Sequence, residues 1–349
     1  MDGIDEGNVT AWLEANTPPI EGPLEFDLIA GGRSNLTYLV TDTTGRRIVL
    51  RRPPVSHVLA SAHDMGREHK IISALADSPV PVAPALGFCQ DVEVNGAPFY
   101  VMDFVDGHIL RGVAEAEKLT VDQRRTAGED LVDVMVALHS VDPDAVGLGD
   151  LGKKEDYVGR QLKRWHGQFQ GSQEQEREAD VFRPAEIVDE VHDLLVAHKP
   201  VQQGAAIAHG DYRLDNCMFV DDGKMLAVLD WELCTLGDAL ADLATMLMYW
   251  TDRDEAARSM LPAASTADGF PTRAELVERY ASKSSLDLTP LPYYMAFAHW
   301  RLACIMEGVF VRYATGAMGG GDDAKQAAVG MGGEVIRRAG LAKDIFDTL

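Results

Sequence analysis

Apolar residues along this chain change period near residue 105. Before that point they alternate in short runs; after it most recur at three- and four-residue spacing, as on one face of a helix. The first half begins with a short amphipathic helix predicted over residues 8–17, with Trp12 and Leu13 on its apolar side. Strands follow at Leu24–Ala30, Leu36–Thr41 and Arg46–Arg52, the last closed by Pro53-Pro54. Residues 64–76 read as a helix whose apolar stripe is Met65, Ile71, Ile72 and Leu75, with Glu68 one turn before Ile72. After the stiff connector Pro79–Pro84 come two more strands, Leu86–Cys89 and Phe99–Asp103. Phe104–Gly107 then reads as a crossover into a second lobe.

From Gly107 onward the pattern is helical. Thr120 and Gln123 form a capping box that opens a helix running to about His139. Helices are predicted over 157–169 and 184–198, with the polar stretch 171–180 between them as an exposed loop. Ala205–Ala208 is a short apolar run leading into His209-Gly210-Asp211-Tyr212-Arg213-Leu214-Asp215-Asn216. Two apolar runs, Cys217–Val220 and Met225–Leu229, flank Asp221-Asp222-Gly223-Lys224, a strong hairpin pattern. Asp238 is a candidate N-cap for the next helix, and helices at about 272–284, 290–315 and 323–340 finish the chain.

The length of 349 residues is comfortable for two lobes. An apolar content of 46% and a charged content of 25% are ordinary for a globular protein. The formal net charge of −23 argues against nucleic acid or an anionic membrane as partner, since both need a basic face. Four cysteines without a CxxC pair fit a reducing compartment. Met1–Glu6 lacks the basic and apolar regions of a secretory signal, and no run of 18 apolar residues occurs, so a cytoplasmic location is expected.

Chemistry concentrates at the hairpin. Antiparallel pairing brings its two ends together, and so Asn216 to Asp230. Amide and carboxylate oxygens are the hard donors that Mg²⁺ takes, usually one or two per ion, with phosphate and water completing the shell. Asp211 lies close by in sequence as a candidate base for a hydroxyl. Phosphoryl transfer needs little more than such a base, metal ions on the phosphates and a cation on the transferring group. Glu232, two residues beyond Asp230, points to the same strand face if the chain stays extended, as a second-metal or substrate contact. His209 reads as a structural hydrogen-bonding residue and Trp231 as packing. Asp242, inside the apolar run Ala241–Met248, needs a buried partner, because an unpaired buried charge is expensive. It is expected to anchor the backbone of the 209–211 loop.

The first half supplies matching parts. Gly31-Gly32-Arg33-Ser34-Asn35 joins two strands, and such a turn can lay its N–H groups against phosphates; an ordinary hairpin turn has the same composition. The cationic end of the third strand, Arg51-Arg52, and Glu68 on the next helix repeat the cation–acid arrangement that holds ATP phosphates in kinases. Backbone groups of the crossover Phe104-Val105-Asp106-Gly107 would face an adenine edge.

His209-Gly210-Asp211, Asn216, Asp230, Gly237-Asp238 and Asp242 together resemble the aminoglycoside phosphotransferase and choline kinase-like families. The resemblance covers nearly the whole chain. It implies an α+β, bilobal protein-kinase-like fold: a small antiparallel-sheet lobe with one helix over residues 1–103, a hinge at 104–107, and a larger, mainly helical lobe over 108–349. It implies Asp211 as catalytic base, Asn216 and Asp230 as Mg²⁺ ligands, and ATP held by Gly31, Gly32, Ser34, Asn35, Arg51, Glu68 and Met102–Val105. A narrower likeness, carried by Val49–Pro54, Gln161–Trp165, Arg301-Leu302-Ala303 and Glu307-Gly308-Val309, is to the kinase-like domain attached to some acyl-CoA dehydrogenases. The expected acceptor is a small-molecule hydroxyl, of hydroxyacyl type or another metabolite. The alternatives are an aminoglycoside acceptor and a non-catalytic nucleotide-binding pseudokinase. One departure stands out: Arg51 occupies the place of the usual lysine, and arginine is a planar fork rather than a point charge.

Overall fold

The computed structural model describes residues 3–30, 35–55, 64–258, 263–316 and 322–348. In chain order the elements are α1 (Glu6–Asn16), β1 (Glu25–Ala30), β2 (Leu36–Thr41), β3 (Arg47–Arg52), α2 (Met65–Leu75), β4 (Ala85–Cys89), α3 (Val92–Asn95), β5 (Phe99–Asp103), β6 (His108–Ile109), α4 (Val113–Ala116) and α5 (Val121–Ser140). Then come α6 (Tyr157–Glu178), α7 (Glu186–Ala197), β7 (Ala206–Ala208), β8 (Cys217–Phe219), β9 (Met225–Val228), β10 (Thr235–Gly237), α8 (Ala239–Tyr249), α9 (Arg273–Lys283), α10 (Leu291–Ala314) and α11 (Asp322–Asp347). No described helix is long and apolar enough to cross a membrane.

The chain divides into two compact units. The first comprises residues 1–150, 212–234 and 252–280. Its antiparallel sheet has the order β1-β2-β3-β5-β4. Period-two burial in β2 puts Leu36, Tyr38 and Val40 into a core with Val9 and Leu13 of α1, Leu50 of β3 and Phe99 and Val101 of β5. Full burial stabilises by about 1.5–3 kcal/mol for a residue such as Leu13, so α1 is held by its apolar stripe. Helix α2 is capped by Asp64, whose carboxylate accepts from the Arg67 amide, and buries Ile71, Ile72 and Leu75 together with Glu68. A second sheet, β6-β8-β9, carries the hairpin with Cys217 opposite Val228. Its turn demands glycine: Gly223 has φ +83°, and a Cβ there would lie 2.2 Å from the Gln123 carbonyl oxygen of α5.

The second unit comprises residues 151–211, 235–251 and 281–349. Strands β7 and β10 pair antiparallel, Ile207 opposite Leu236. Helix α8, apolar nearly all round, is buried from Ala239 to Met248. Helix α10 packs against α6, α7, α8 and α11, and its buried Trp300 donates from Nε1 to the Val188 carbonyl of α7 at 2.9 Å.

Three sequence expectations need correction. Residues 171–180 are not an exposed loop: α6 continues to Glu178 and buries Ser172, Gln173 and Glu176. The stretch reads as solvated because its polar side chains are satisfied inside. Gln173 donates to Glu176 and Glu307, and the Arg183 amide donates to Glu176. The chain beyond Gly107 is not helical at once, since His108–Ile109 first adds an edge strand to the hairpin, too short to show a period. The last helix runs past 340 to Asp347.

Candidate active site

Within the first unit the elements surround a cavity of about 570 Å³, a size ordinary for small-molecule and cofactor sites. Strand β3 contributes Val49 and Arg51; the end of β5 and the residues after it contribute Met102, Asp103, Phe104 and Val105; the hairpin ends contribute Asn216, Met218, Leu229 and Asp230. Asn35 lines it too. Gly31, Gly32 and Ser34 lie outside the described residues.

The hairpin ends meet as antiparallel pairing requires. The Leu229 amide donates to the Asn216 carbonyl at 2.8 Å, which sets Asn216 beside the residue preceding Asp230. Asn216 closes a 3-10 turn over Leu214–Asn216. Asp230 is one of three non-glycine residues at positive φ among those described, with φ 61° and ψ 65°. Left-handed backbone at an aspartate is uncommon and has to be held by its surroundings. The geometry also corrects the premise for Glu232. Residues 231–233 form a 3-10 turn, so the chain is not extended there, and Glu232 is half-buried and absent from the cavity wall.

Arg51 is the hub of the wall. Its Nη2 donates to Asp230 Oδ1 at 3.1 Å, and its Nε lies 3.4 Å from Glu68 Oε2. Glu68, 2% exposed, also accepts from Asn35 Nδ2 at 2.7 Å and from the Tyr100 hydroxyl at 2.9 Å. Asn35 therefore turns its amide inward to Glu68. Burial drives the Glu68 carboxyl above its ordinary pKa, and the Arg51 charge and the Tyr100 hydrogen bond oppose that rise without cancelling it. Burial works against the Arg51 charge, yet the fields of Tyr100, Glu68 and Asp230 hold its pKa above the usual value. The guanidinium is charged at every physiological pH.

The segment after β5 is largely committed. The Asp103 amide donates to the Pro84 carbonyl at 2.9 Å and the Phe104 amide to the Arg47 carbonyl at 3.4 Å. The Arg47 guanidinium covers the Phe104 ring, 4.1 Å from its centroid. Among the described residues the Val105 amide makes no such bond, which leaves it as the donor of that segment next to the cavity.

Arg111, Arg213 and Asp215 also line the cavity, and sequence reading did not single them out as site residues. Arg213 Nη1 lies 3.3 Å from Asp215 Oδ2. Their position between Asp211 and Asn216 was a usable signal; for Arg111 no local pattern existed.

Asp211 belongs to the second unit, where its loop is clamped. The His209 amide donates to Asp242 Oδ2 at 2.8 Å and the Gly210 amide to Oδ1 at 2.9 Å. Arg301 Nη2 donates to the Gly210 carbonyl at 2.8 Å. Gly210 has φ +86°, a conformation glycine adopts without strain. His209 is fully buried, and its Nδ1 accepts from the Asp211 amide at 3.3 Å. Asp238 caps α8 through the Leu240 amide at 3.0 Å and accepts from the Tyr294 hydroxyl at 2.6 Å. Asp242 thus meets two backbone donors, as expected of a charge in an apolar helix.

The first unit thus sets a cation against a buried acid and brings amide and carboxylate oxygens to two converging chain ends, and the second unit holds a clamped His-Gly-Asp loop. Residues 25–276 match the phosphotransferase enzyme family, and the chain belongs to it. It carries the protein-kinase-like fold. It is 34% identical over 301 residues to acyl-CoA dehydrogenase family member 10 of Mus musculus, a match covering 84% of this chain and 27% of that protein. The chain spans 27–40% of the length of the acyl-CoA dehydrogenase relatives it matches. A solved structure from Ralstonia eutropha JMP134, provisionally described as an aminoglycoside phosphotransferase, is 30% identical with a TM-score of 0.79, covering 97% of this chain and 98% of that one. Amicoumacin kinase, solved with AMP-PNP and Ca²⁺, shares the fold at 15% identity and a TM-score of 0.58, covering 96% and 94% of the two chains.

Proposed function

We propose that this protein is an ATP- and Mg²⁺-dependent kinase of a small metabolite, with a hydroxyacyl-type acceptor favoured. The observation that carries the reading is the cavity at which Arg51, Asn216 and Asp230 meet. The donor set suits a hard cation: one amide oxygen and one carboxylate make a weak site on their own, which the oxygens of an arriving nucleotide's phosphates complete. Arg51 against Asp230 already stands where positive charge is wanted. Bound there, Mg²⁺ would neutralise charge on the transferring phosphate.

The remaining work falls to the chain. Val105 offers its amide to the base, and Arg51 offers its fork to the phosphates. Asp211 accepts the proton of the acceptor hydroxyl as that oxygen attacks the γ-phosphorus. The bond to the β–γ bridging oxygen breaks, and ADP leaves with that oxygen. Asp242 and Arg301 keep the Asp211 loop in place through backbone contacts on both sides of Gly210. In this reading residues 1–103 form the nucleotide lobe, 104–107 the hinge and 108–349 the acceptor lobe. The ATP supply and the acidic surface support a cytoplasmic protein working on small molecules rather than on nucleic acid or membrane.

The likeness to acyl-CoA dehydrogenase family proteins supports a hydroxyacyl acceptor over an antibiotic. ATP consumption is to be measured against a panel of hydroxyacyl thioesters, free hydroxy acids and aminoglycosides. Turnover of the thioesters is expected. Turnover confined to aminoglycosides would replace the acceptor, and ATP·Mg²⁺ binding without turnover of any member would point to a pseudokinase.

A further inference from the structure

The Arg51 side chain is oddly spent for a buried guanidinium. It has five N–H donors. Among the described residues it makes one hydrogen bond, from Nη2 to Asp230 Oδ1 at 3.1 Å. Its Nε is buried without a hydrogen-bond partner, since Glu68 Oε2 at 3.4 Å lies outside bonding geometry. Glu68 meanwhile is well served by Asn35 and Tyr100. Asp230 is the reverse: Arg51 is its one hydrogen-bonding side-chain partner among the described residues, its side chain is 34% exposed, and its backbone is left-handed. The carboxylate of a residue with left-handed backbone is held by a cation that has donors to spare.

We propose that Arg51 is a stand-in cation. It holds Asp230 in its strained conformation before metal and nucleotide arrive, then releases Oδ1 and turns its fork to the phosphates. The inference rests on the reading of Asp230 as a metal ligand. Arg51 and the metal are then competitors for one carboxylate oxygen, and Arg51 is a positioning residue as well as a phosphate contact. A lysine at this position carries one ammonium and cannot fork between the two acids; it is expected to settle on the buried Glu68 and leave Asp230 without its cation.

The test is Mn²⁺ binding to the full chain without nucleotide, followed by electron paramagnetic resonance, for wild type, Arg51→Lys and Arg51→Met. Arg51→Lys keeps the charge and loses the fork. It is expected to bind Mn²⁺ about twofold to fivefold more tightly than wild type, the range of a partly exposed ion pair removed. Arg51→Met, losing charge as well, is expected to gain at least as much. Unchanged Mn²⁺ affinity in Arg51→Lys overturns the proposal even if Arg51→Met binds more tightly, because then the field of the charge and not the contact is responsible. If Arg51→Met fails to fold, Arg51→Lys decides alone. Asp230→Asn separates the two readings: Mn²⁺ binding that survives this change, with and without ATP, removes Asp230 as a ligand, whereas its loss leaves the competition test standing.

Discussion

At the scale of single residues, Glu68 gathers three side chains beside the cavity. It sits at 2% exposure with Arg51, Asn35 and Tyr100 around it. Glu68→Ala leaves the buried Arg51 guanidinium with Asp230 alone and takes one acceptor from Asn35 and one from Tyr100, and is expected to destabilise the first unit by about 3–5 kcal/mol. Tyr100→Phe removes one donor and is expected to cost about 1 kcal/mol. Denaturant unfolding of both variants checks the order; equal losses would contradict it. The Arg51–Glu68 pairing was legible in the sequence, because a cation closing the third strand and an acid one turn into the next helix form a pattern. Tyr100 and Asn35 were not legible as Glu68 partners. They lie 32 and 33 residues away in sequence and meet it only once the strands are in register.

At the scale of elements, helix α8 and its loop show how local order reaches the site. Asp242 accepts from two consecutive amides, and Arg301 of α10 holds the carbonyl of Gly210. Asp242→Ala strands two buried donors and is expected to cost about 2–4 kcal/mol and to lower kcat with little change in nucleotide affinity. A thermal melt and steady-state kinetics read the two effects. A polar residue in an apolar run announced this anchor.

Helix α6 gave the opposite lesson, since its second half has the composition of a loop. What fixes it is a buried cluster in which Glu307 and Glu176, both fully buried, share Gln173 and Arg183. Burial lifts the Glu307 carboxyl to about 7, with Glu176 adding to the rise and Arg183 and Gln173 opposing it. A carboxyl whose pKa is raised on folding binds its proton more tightly in the native state. Its contribution is complete below the unfolded value near 4.5 and is lost as pH rises through about 7. The melting temperature of the wild type is therefore expected to fall between pH 5.5 and pH 8 more than that of Glu307→Gln. A parallel pH dependence in the two proteins would place the proton elsewhere.

At the scale of the whole molecule, the acidic surface and the local cations have to be weighed together. A net charge of −23 coexists with a cavity wall carrying Arg51, Arg111 and Arg213 beside Asp103, Asp215 and Asp230. Global charge therefore says little about this site, and the wall suits a phosphate-bearing ligand better than the total suggests. ATP with Mg²⁺ at about 100 times its Kd is expected to stabilise the protein by about 2.7 kcal/mol. Asp230→Asn should lose most of that gain, as a thermal shift assay would show. The two-part layout and the hairpin were readable because period and turn chemistry agree there, while the choice of acceptor is not carried by any period or spacing.

The central claim is that Asp211 takes the proton of an acceptor hydroxyl in a site that binds ATP independently of it. Calorimetry of ATP·Mg²⁺ binding and acceptor-dependent ADP release are to be measured on one preparation of Asp211→Ala. Binding within about twofold of wild type, with transfer reduced by about a hundredfold to ten-thousandfold, is the predicted result. Transfer at the wild-type rate with binding intact would contradict it.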